Sequence, residues 1–251
     1  MARFTVSACT GQHLGDRAEQ QDRLMIMASP HVTAGLMAVV ADGMGGKTGG
    51  ALAAEQVMTT ARAFFKEWRE EDPIEPAINN VVNEVHTVVQ LSGLTEEKEP
   101  HSTLTLMVIT PNYAHWAHVG DSRLYHFRAG QLFNRTLDHS YVQDMITAGR
   151  LTPQQALTHK YRNMLTSALG TPQHPRVSHD RLDDPRPGDA FLLCSDGVWA
   201  YFSDDELARI ITTLPVRDAA ELLVQLSRER ARGRGDNLSL IVVKLEPPIT
   251  P

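Results

Sequence analysis

Between residues 102 and 135 four short strand-like segments follow one another with almost no chain between them. This spacing restricts the fold more than any other feature. Leu104–Ile109, Ala114–Val119, Arg123–Arg128 and Gln131–Arg135 are rich in apolar and β-branched residues, and turn signals such as Thr110-Pro111-Asn112 and Ala129-Gly130 separate them. Connections this short cannot carry a helical crossover, so the strands must run antiparallel, as consecutive hairpins. Segments 4–9, 24–27 and 36–41 also read as strands, and the last, LMAVVA, is apolar enough to be buried on both faces. Ala190–Cys194 and Leu238–Leu245 complete the strand set.

Helical periodicity appears where the strands stop. Residues 51–68 carry Ala54, Val57, Met58, Ala61, Phe64, Phe65 and Trp68 on one stripe, and 75–91 carry Ile78, Val81, Val82, Val85, Val88 and Val89. Ser203 to Glu206 reads as a capping box opening a helix through Leu214. A further helix covers about 216–231, where Arg228, Arg230 and Arg232 read as a solvated end that complements the helix dipole. Residues 140–170 are helical but broken by Gly149, Pro153 and Gly170. Strand runs flanked by helix pairs predict an α+β chain whose mostly antiparallel sheets are covered by helices.

The chain has 251 residues with no linker, repeat or low-complexity run, so it predicts one domain over 1–251. Thirty acidic against 24 basic residues give a net charge of -6, which argues against nucleic acid as a bulk partner. No apolar run approaches the roughly 20 residues that cross a bilayer, and MARFTVSACTGQHLGDR lacks a signal-peptide core. Two cysteines, Cys9 and Cys194, permit no disulfide framework or zinc ribbon. The expectation is a cytoplasmic monomer without membrane insertion.

Four aspartates share one local setting. Asp42 ends LMAVVA and begins ADGMGGKTGG, Asp121 ends AHWAHVG, Asp196 ends AFLLCS, and Asp236 precedes the last strand within RGRGDN. Any one of these is ordinary turn chemistry. As a set they resemble the oxygen ligands that hard cations such as Mg²⁺ and Mn²⁺ require.

The ordered motifs GDRAEQQDR, AVVADGMGGKTGGALAA, HSTLTL, AHVGDSRLYHFRAGQL, LDHSYVQDMITAGRLT, RNMLTSALG, RPGDAFLLCSDGVW and GRGDNLSLIVV resemble the bacterial metal-dependent protein phosphatases of the 2C type. That resemblance implies a four-layer α-β-β-α sandwich with a flap-like segment near 140–170. It also implies hydrolysis of phosphoserine and phosphothreonine by attack of a metal-bridging hydroxide, with no nucleophilic side chain. By motif, Asp42 resembles the bridging ligand of two tightly bound Mn²⁺ or Mg²⁺ ions and Gly43 the carbonyl donor. Asp196 and Asp236 resemble ligands of the first ion, Asp22 lies in the acidic motif near the second as a ligand or a holder of its waters, and Asp121 with Asp196 resembles the site of a third, weaker one. Arg17 resembles the arginine that grips substrate phosphate. Phosphorylated proteins and a cognate Ser/Thr kinase are the implied partners, and WAYFSDDEL after Asp196 resembles phosphatases paired with kinases of bacterial secretion systems.

Three positions depart from the family pattern: Gln21 replaces a Glu, Gln20 an Asn, and Lys47 a histidine. Lys47 is the candidate second phosphate clamp. Two rival readings remain. ADGMGGKT satisfies a loose P-loop motif, but it would set Asp42 against a polyphosphate and needs parallel strands. A silent phosphoprotein-binding domain draws support from Gln21, yet it has no use for Asp42, Asp196 and Asp236 together. His115 and His118 fall on opposite faces of one strand, and His139 reads as a buried hydrogen-bonding histidine.

A neutral amide is a poorer partner for a divalent cation than a carboxylate. Gln21→Glu should therefore lower the metal concentration giving half-maximal activity. An unchanged metal titration would mean that Gln21 serves through its amide instead.

Overall fold

The computed structural model describes residues 3–45, 49–93 and 99–248; Lys47 lies outside them. In chain order the first half forms β1 (Thr5–His13), β2 (Arg23–Ala28), β3 (Leu36–Ala41), β4 (Gly43–Met44), α1 (Gly49–Glu67) and α2 (Ile74–Gly93). The central part forms β5 (His101–Ser102), β6 (Leu104–Ile109), β7 (Tyr113–Val119), β8 (Arg123–Arg128), β9 (Gln131–Arg135), α3 (Tyr141–Thr147) and α4 (Pro153–Leu157). The remainder forms β10 (Ser178–Asp183), β11 (Ala190–Cys194), α5 (Asp196–Trp199), α6 (Asp204–Thr213), α7 (Val216–Ala231) and β12 (Leu238–Glu246).

The four strands expected between 104 and 135 are present, but they do not form one meander. β6 and β7 make a hairpin in one sheet, of order β10-β7-β6-β3-β2, while β8 and β9 make a hairpin in the other, of order β1-β12-β11-β8-β9. The chain changes sheet at Gly120-Asp121-Ser122. Each pairing between these strands is antiparallel. The P-loop reading falls here, because β3 lies antiparallel between β2 and β6 with no parallel neighbour.

Alternation along the buried strands sorts side chains into three apolar layers. Met37, Val39 and Ala41 join Leu106 and Val108 beneath α1 and α2. Ala38 and Val40 point the other way, meeting Phe191, Leu193, Ile241 and Val243 between the two sheets. Leu192, Cys194, Leu240 and Val242 lie under α6 and α7. Strands clothed on both faces explain why LMAVVA carries no polar residue. The result is the expected four-layer sandwich.

Several local expectations need correction. Ser203 does cap α6, accepting from the Glu206 amide at 3.2 Å, but the Glu206 carboxylate pairs with Arg230 and does not return to Ser203. Arg230 and Arg232 are exposed at the end of α7 as expected, whereas the half-buried Arg228 forks onto Asp16. β10 escaped the sequence reading because SHDRLD is a polar edge strand, largely without apolar alternation.

Gly43 and Gly50 touch backbone to backbone where β4 meets α1. A Cβ at Gly43 would sit 2.0 Å from the Gly50 oxygen, and one at Gly50 would sit 2.6 Å from the Gly43 carbonyl. Neither neighbour is a side chain that could swing away. Gly43→Ala should lower unfolding stability by about 3 kcal/mol, read as a shift in the urea midpoint. An unmoved midpoint would show that this crossing relaxes freely.

Candidate metal centre and active site

Asp42 follows β3 and is fixed through its backbone. Its amide donates to Thr103 Oγ1 at 2.9 Å, and its carbonyl accepts from the Thr103 amide at 2.9 Å. Thr103 Oγ1 also lies 2.7 Å from Ser122 Oγ, which carries the link to the residue after Asp121.

Asp121 occupies the strap between the two sheets. Gly120 before it has φ +99°, and a Cβ there would come within 2.6 Å of the Thr103 methyl, so only glycine fits. His139 holds the same strap. Its amide donates to the Gly120 carbonyl at 2.9 Å, and its Nδ1 accepts from the Gly120 amide at 3.2 Å. Burial pushes the His139 pKa down to about 3, so the ring stays neutral and can accept. Trp199 Nε1 donates to the Asp121 carbonyl at 2.9 Å. The Trp199 ring lies 3.5 Å from the Arg123 guanidinium, which forks onto Asp138 with both bonds at 2.7 Å.

Asp196 starts the short α5 immediately after β11. Its predecessor Ser195 donates from Oγ to Asp22 Oδ2 at 2.7 Å and accepts from the Ser239 amide at 3.0 Å. Asp236 sits just ahead of β12, with Oδ2 2.6 Å from Arg17 Nη2. Asn237 ties the Arg17 loop down, donating to the Leu14 and Glu19 carbonyls and accepting from the Gln21 amide.

These residues form an acidic concentration with Arg17 at its edge. Burial lifts the Asp42 carboxyl well above the usual carboxylate range, and Asp22, Asp196, Asp121 and Asp236 add to the shift. Burial acts the same way on Asp196, reinforced by Asp121, Asp236 and Asp22 and opposed by Arg17. Asp22, 1 % exposed, is pushed up to about 6, and Asp121 to about 7, desolvation leading in both. Asp22 Oδ1 and Asp196 Oδ1 are buried with no hydrogen-bond partner. Among the described residues no three Asp, Glu, His or Cys side chains already converge as a finished metal cage. Orphaned carboxylate oxygens that repel one another nevertheless fit a hard divalent cation, which keeps much of its own water.

Asp22, Asp42, Asp121, Asp196 and Asp236 are thus brought into mutual electrostatic range, with Arg17 beside Asp236. Gly43 is buried in β4, next in the chain to Asp42. Cys194 is fully buried and its thiol pKa is raised, which unfits it as a nucleophile. His115 and His118 part as expected: His115 meets His179 at 3.1 Å, while His118 stacks on His139 at 4.4 Å. The Gln20 amide is buried with neither polar atom partnered. Sequence reasoning missed Thr103, Ser195, Trp199 and Asn237. Adjacency to Asp196 and Asp236 is the signal for Ser195 and Asn237, and Thr103 and Trp199 stand within HSTLTL and SDGVW.

Residues 10–231 match the protein phosphatase 2C family. Serine/threonine protein phosphatase PstP of Mycobacterium tuberculosis is 30% identical over 236 residues, covering 90% of this chain but 44% of that protein. The chain therefore spans less than half the length of that relative. Protein phosphatase PhpP of Streptococcus pneumoniae is 30% identical over 215 residues, 83% of this chain and 85% of that one. The catalytic domain of PstP, solved in complex with two manganese ions, superposes with a TM-score of 0.79 at 25% identity, covering 97% and 99% of the two chains. PppA, a key regulatory component of T6SS in Pseudomonas aeruginosa, superposes with a TM-score of 0.79 at 29% identity, covering 96% and 98%.

A carboxyl whose pKa rises on folding opposes folding at every pH above its unfolded value. For Asp22 that penalty grows from about pH 4 and is complete above about pH 6. In chelator at pH 7, Asp22→Asn should be more stable than the parent by about 1–3 kcal/mol, and near pH 4 the difference should vanish. Equal urea midpoints at pH 7 would show that Asp22 carries no such burden.

Proposed function

This chain belongs to the protein phosphatase 2C family, and on that premise we propose that it is a metal-dependent protein phosphatase acting on phosphoserine and phosphothreonine. The observation that carries the reading is the gathering of the buried Asp22 with Asp42, Asp121 and Asp196, whose desolvated carboxyls repel one another, and with the part-exposed Asp236, Arg17 being the cation beside it.

In this reading Asp42 and the Gly43 carbonyl would help to hold a pair of divalent ions, with Asp196 and Asp236 as further ligands of the first and Asp22 at the second. Asp121 with Asp196 would hold a third, weaker ion. Mn²⁺ and Mg²⁺ both suit the all-oxygen donor set. Such ions, once bound, supply Lewis acidity and a lowered pKa for water, which removes the need for a nucleophilic side chain. Arg17, with its side chain 60% exposed and Nη2 on Asp236, has the rest of its planar fork to offer an incoming phosphate. Lys47 is assigned as a second positive clamp. Trp199, His139 and Thr103 keep Asp121 and Asp42 in register by holding their backbones or those of adjacent residues, leaving the carboxylates to the ions.

The partners follow from the same reading. A phosphoprotein substrate implies a Ser/Thr kinase, and the likeness to PppA together with WAYFSDDEL supports one that serves a secretion system. The chain acts as a monomeric domain in the cytoplasm, with residues 140–170 as a flap; no helix among the described residues is long and apolar enough to cross a membrane.

Phosphopeptide hydrolysis should require added Mn²⁺ or Mg²⁺ and stop in excess chelator. Asp42→Asn should reduce it to background, whereas Cys9→Ser with Cys194→Ser should leave it largely intact in folded protein. Full turnover in chelator would sink the metal mechanism, and loss of turnover in the folded cysteine variant would point to thiol chemistry.

A further inference from the structure

α7 ends beside the candidate site yet supplies no ligand to it. From its last turn Arg228 reaches back across the chain to Asp16, Nη1 to Oδ2 and Nη2 to Oδ1, both at 2.9 Å. Asp16 Oδ2 also accepts from the Gly235 amide at 2.6 Å, and the Asp16 amide donates to the Gly235 carbonyl at 2.8 Å. The residues that follow in each loop are Arg17 and Asp236, themselves 2.6 Å apart.

We propose that Asp16 and Arg228 are a positioning pair that sets Arg17, and with it the substrate phosphate, against Asp236. The assignment rests on the reading of Arg17 as the phosphate grip. The β1–β12 ladder ends at His13 and Leu238, so no sheet bonds align the two loops beyond it. Asn237 secures the backbone at Leu14 and Glu19, on either side of Arg17, and leaves the direction of Arg17 open. The chain makes room for the clamp. A Cβ at Gly235 would fall 2.8 Å from Arg228 Nη1, and one at Gly15 would fall 2.0 Å from the Asp236 carbonyl oxygen. Hydrogen bonds from Arg228 and then Gly235 hold the Asp16 carboxyl down to about 2, so the pair stays charged at neutral pH. An isolated exposed ion pair orders little, but a guanidinium fork combined with two backbone bonds fixes direction as well as distance.

The test compares Arg228→Gln, Arg228→Lys and Arg17→Gln with the parent at saturating Mn²⁺, using one phosphothreonine peptide, with backbone hydrogen exchange on the same proteins. Arg228→Gln should raise KM about tenfold, the scale of a charge-assisted fork, with kcat changed less than about threefold. The Asp16 and Gly235 amides should exchange faster. Lysine keeps the charge without the fork, so Arg228→Lys should restore the thermal midpoint fully and KM only in part. A raised KM in Arg17→Gln beside a parental KM in Arg228→Gln would overturn the pair and spare the phosphatase reading. Parental KM in both would overturn the phosphate grip and the pair with it. Full recovery of KM by lysine would reduce Arg228 to a stabilising contact and overturn the positioning role.

Discussion

Mutual repulsion among buried carboxylates is the condition to which the rest of this molecule answers. Asp22, Asp42, Asp121 and Asp196 are pushed toward their neutral forms by burial and by one another, and a flexible chain would let them drift into solvent. Two sheets packed face to face prevent that, because each acid is attached to the end of a strand or loop whose own bonds are satisfied elsewhere. The groups that hold these acids are mostly neutral: Thr103 on Asp42, Trp199 on Asp121, Ser195 on Asp22. Two of the three bind backbone. Cations in those places would have eased the repulsion and left less negative charge for a metal ion.

The same economy appears one layer out. Arg123, two residues from Asp121, opposes the rise of its pKa without bonding to it. The guanidinium is forked onto Asp138 and stacked on Trp199, so that its plane supports the indole. His139 is kept neutral by burial and contributes an acceptor. At Asp196 it is Arg17 that opposes the repulsion, and it does so from the solvent side.

Much of this could be read from sequence because strands clothed on both faces are almost wholly apolar, as β3 and β11 are and as β6 is apart from Thr105. An aspartate after such a strand is conspicuous. The change of sheet at Gly120 was not legible, since a three-residue connection between strands looks the same whether it turns a hairpin or crosses a sandwich. β10 was hidden by its polarity. The capping box at Ser203 was half right, because the Glu206 side chain had a stronger partner in Arg230, far along the chain. Ser195 with Asp22 and Asp16 with Arg228 lie beyond any local pattern: their partners are settled by which strands meet, and spacing in the sequence does not record that.

The position of β12 has a consequence for how this molecule comes into being. β12 lies between β1 and β11, with Thr5 opposite Glu246 and His13 opposite Leu238. β1 therefore leaves the ribosome before its partner and stays an open edge until β12 has been made, the kind of exposure that invites wrong pairing. Only when β12 emerges can it slot in, drawing Asp236 to Arg17 in the same movement. A chain whose β12 has not yet been made therefore lacks the Asp236–Arg17 pair, and its maturation is paced by a long-range pairing of the slow, non-local kind.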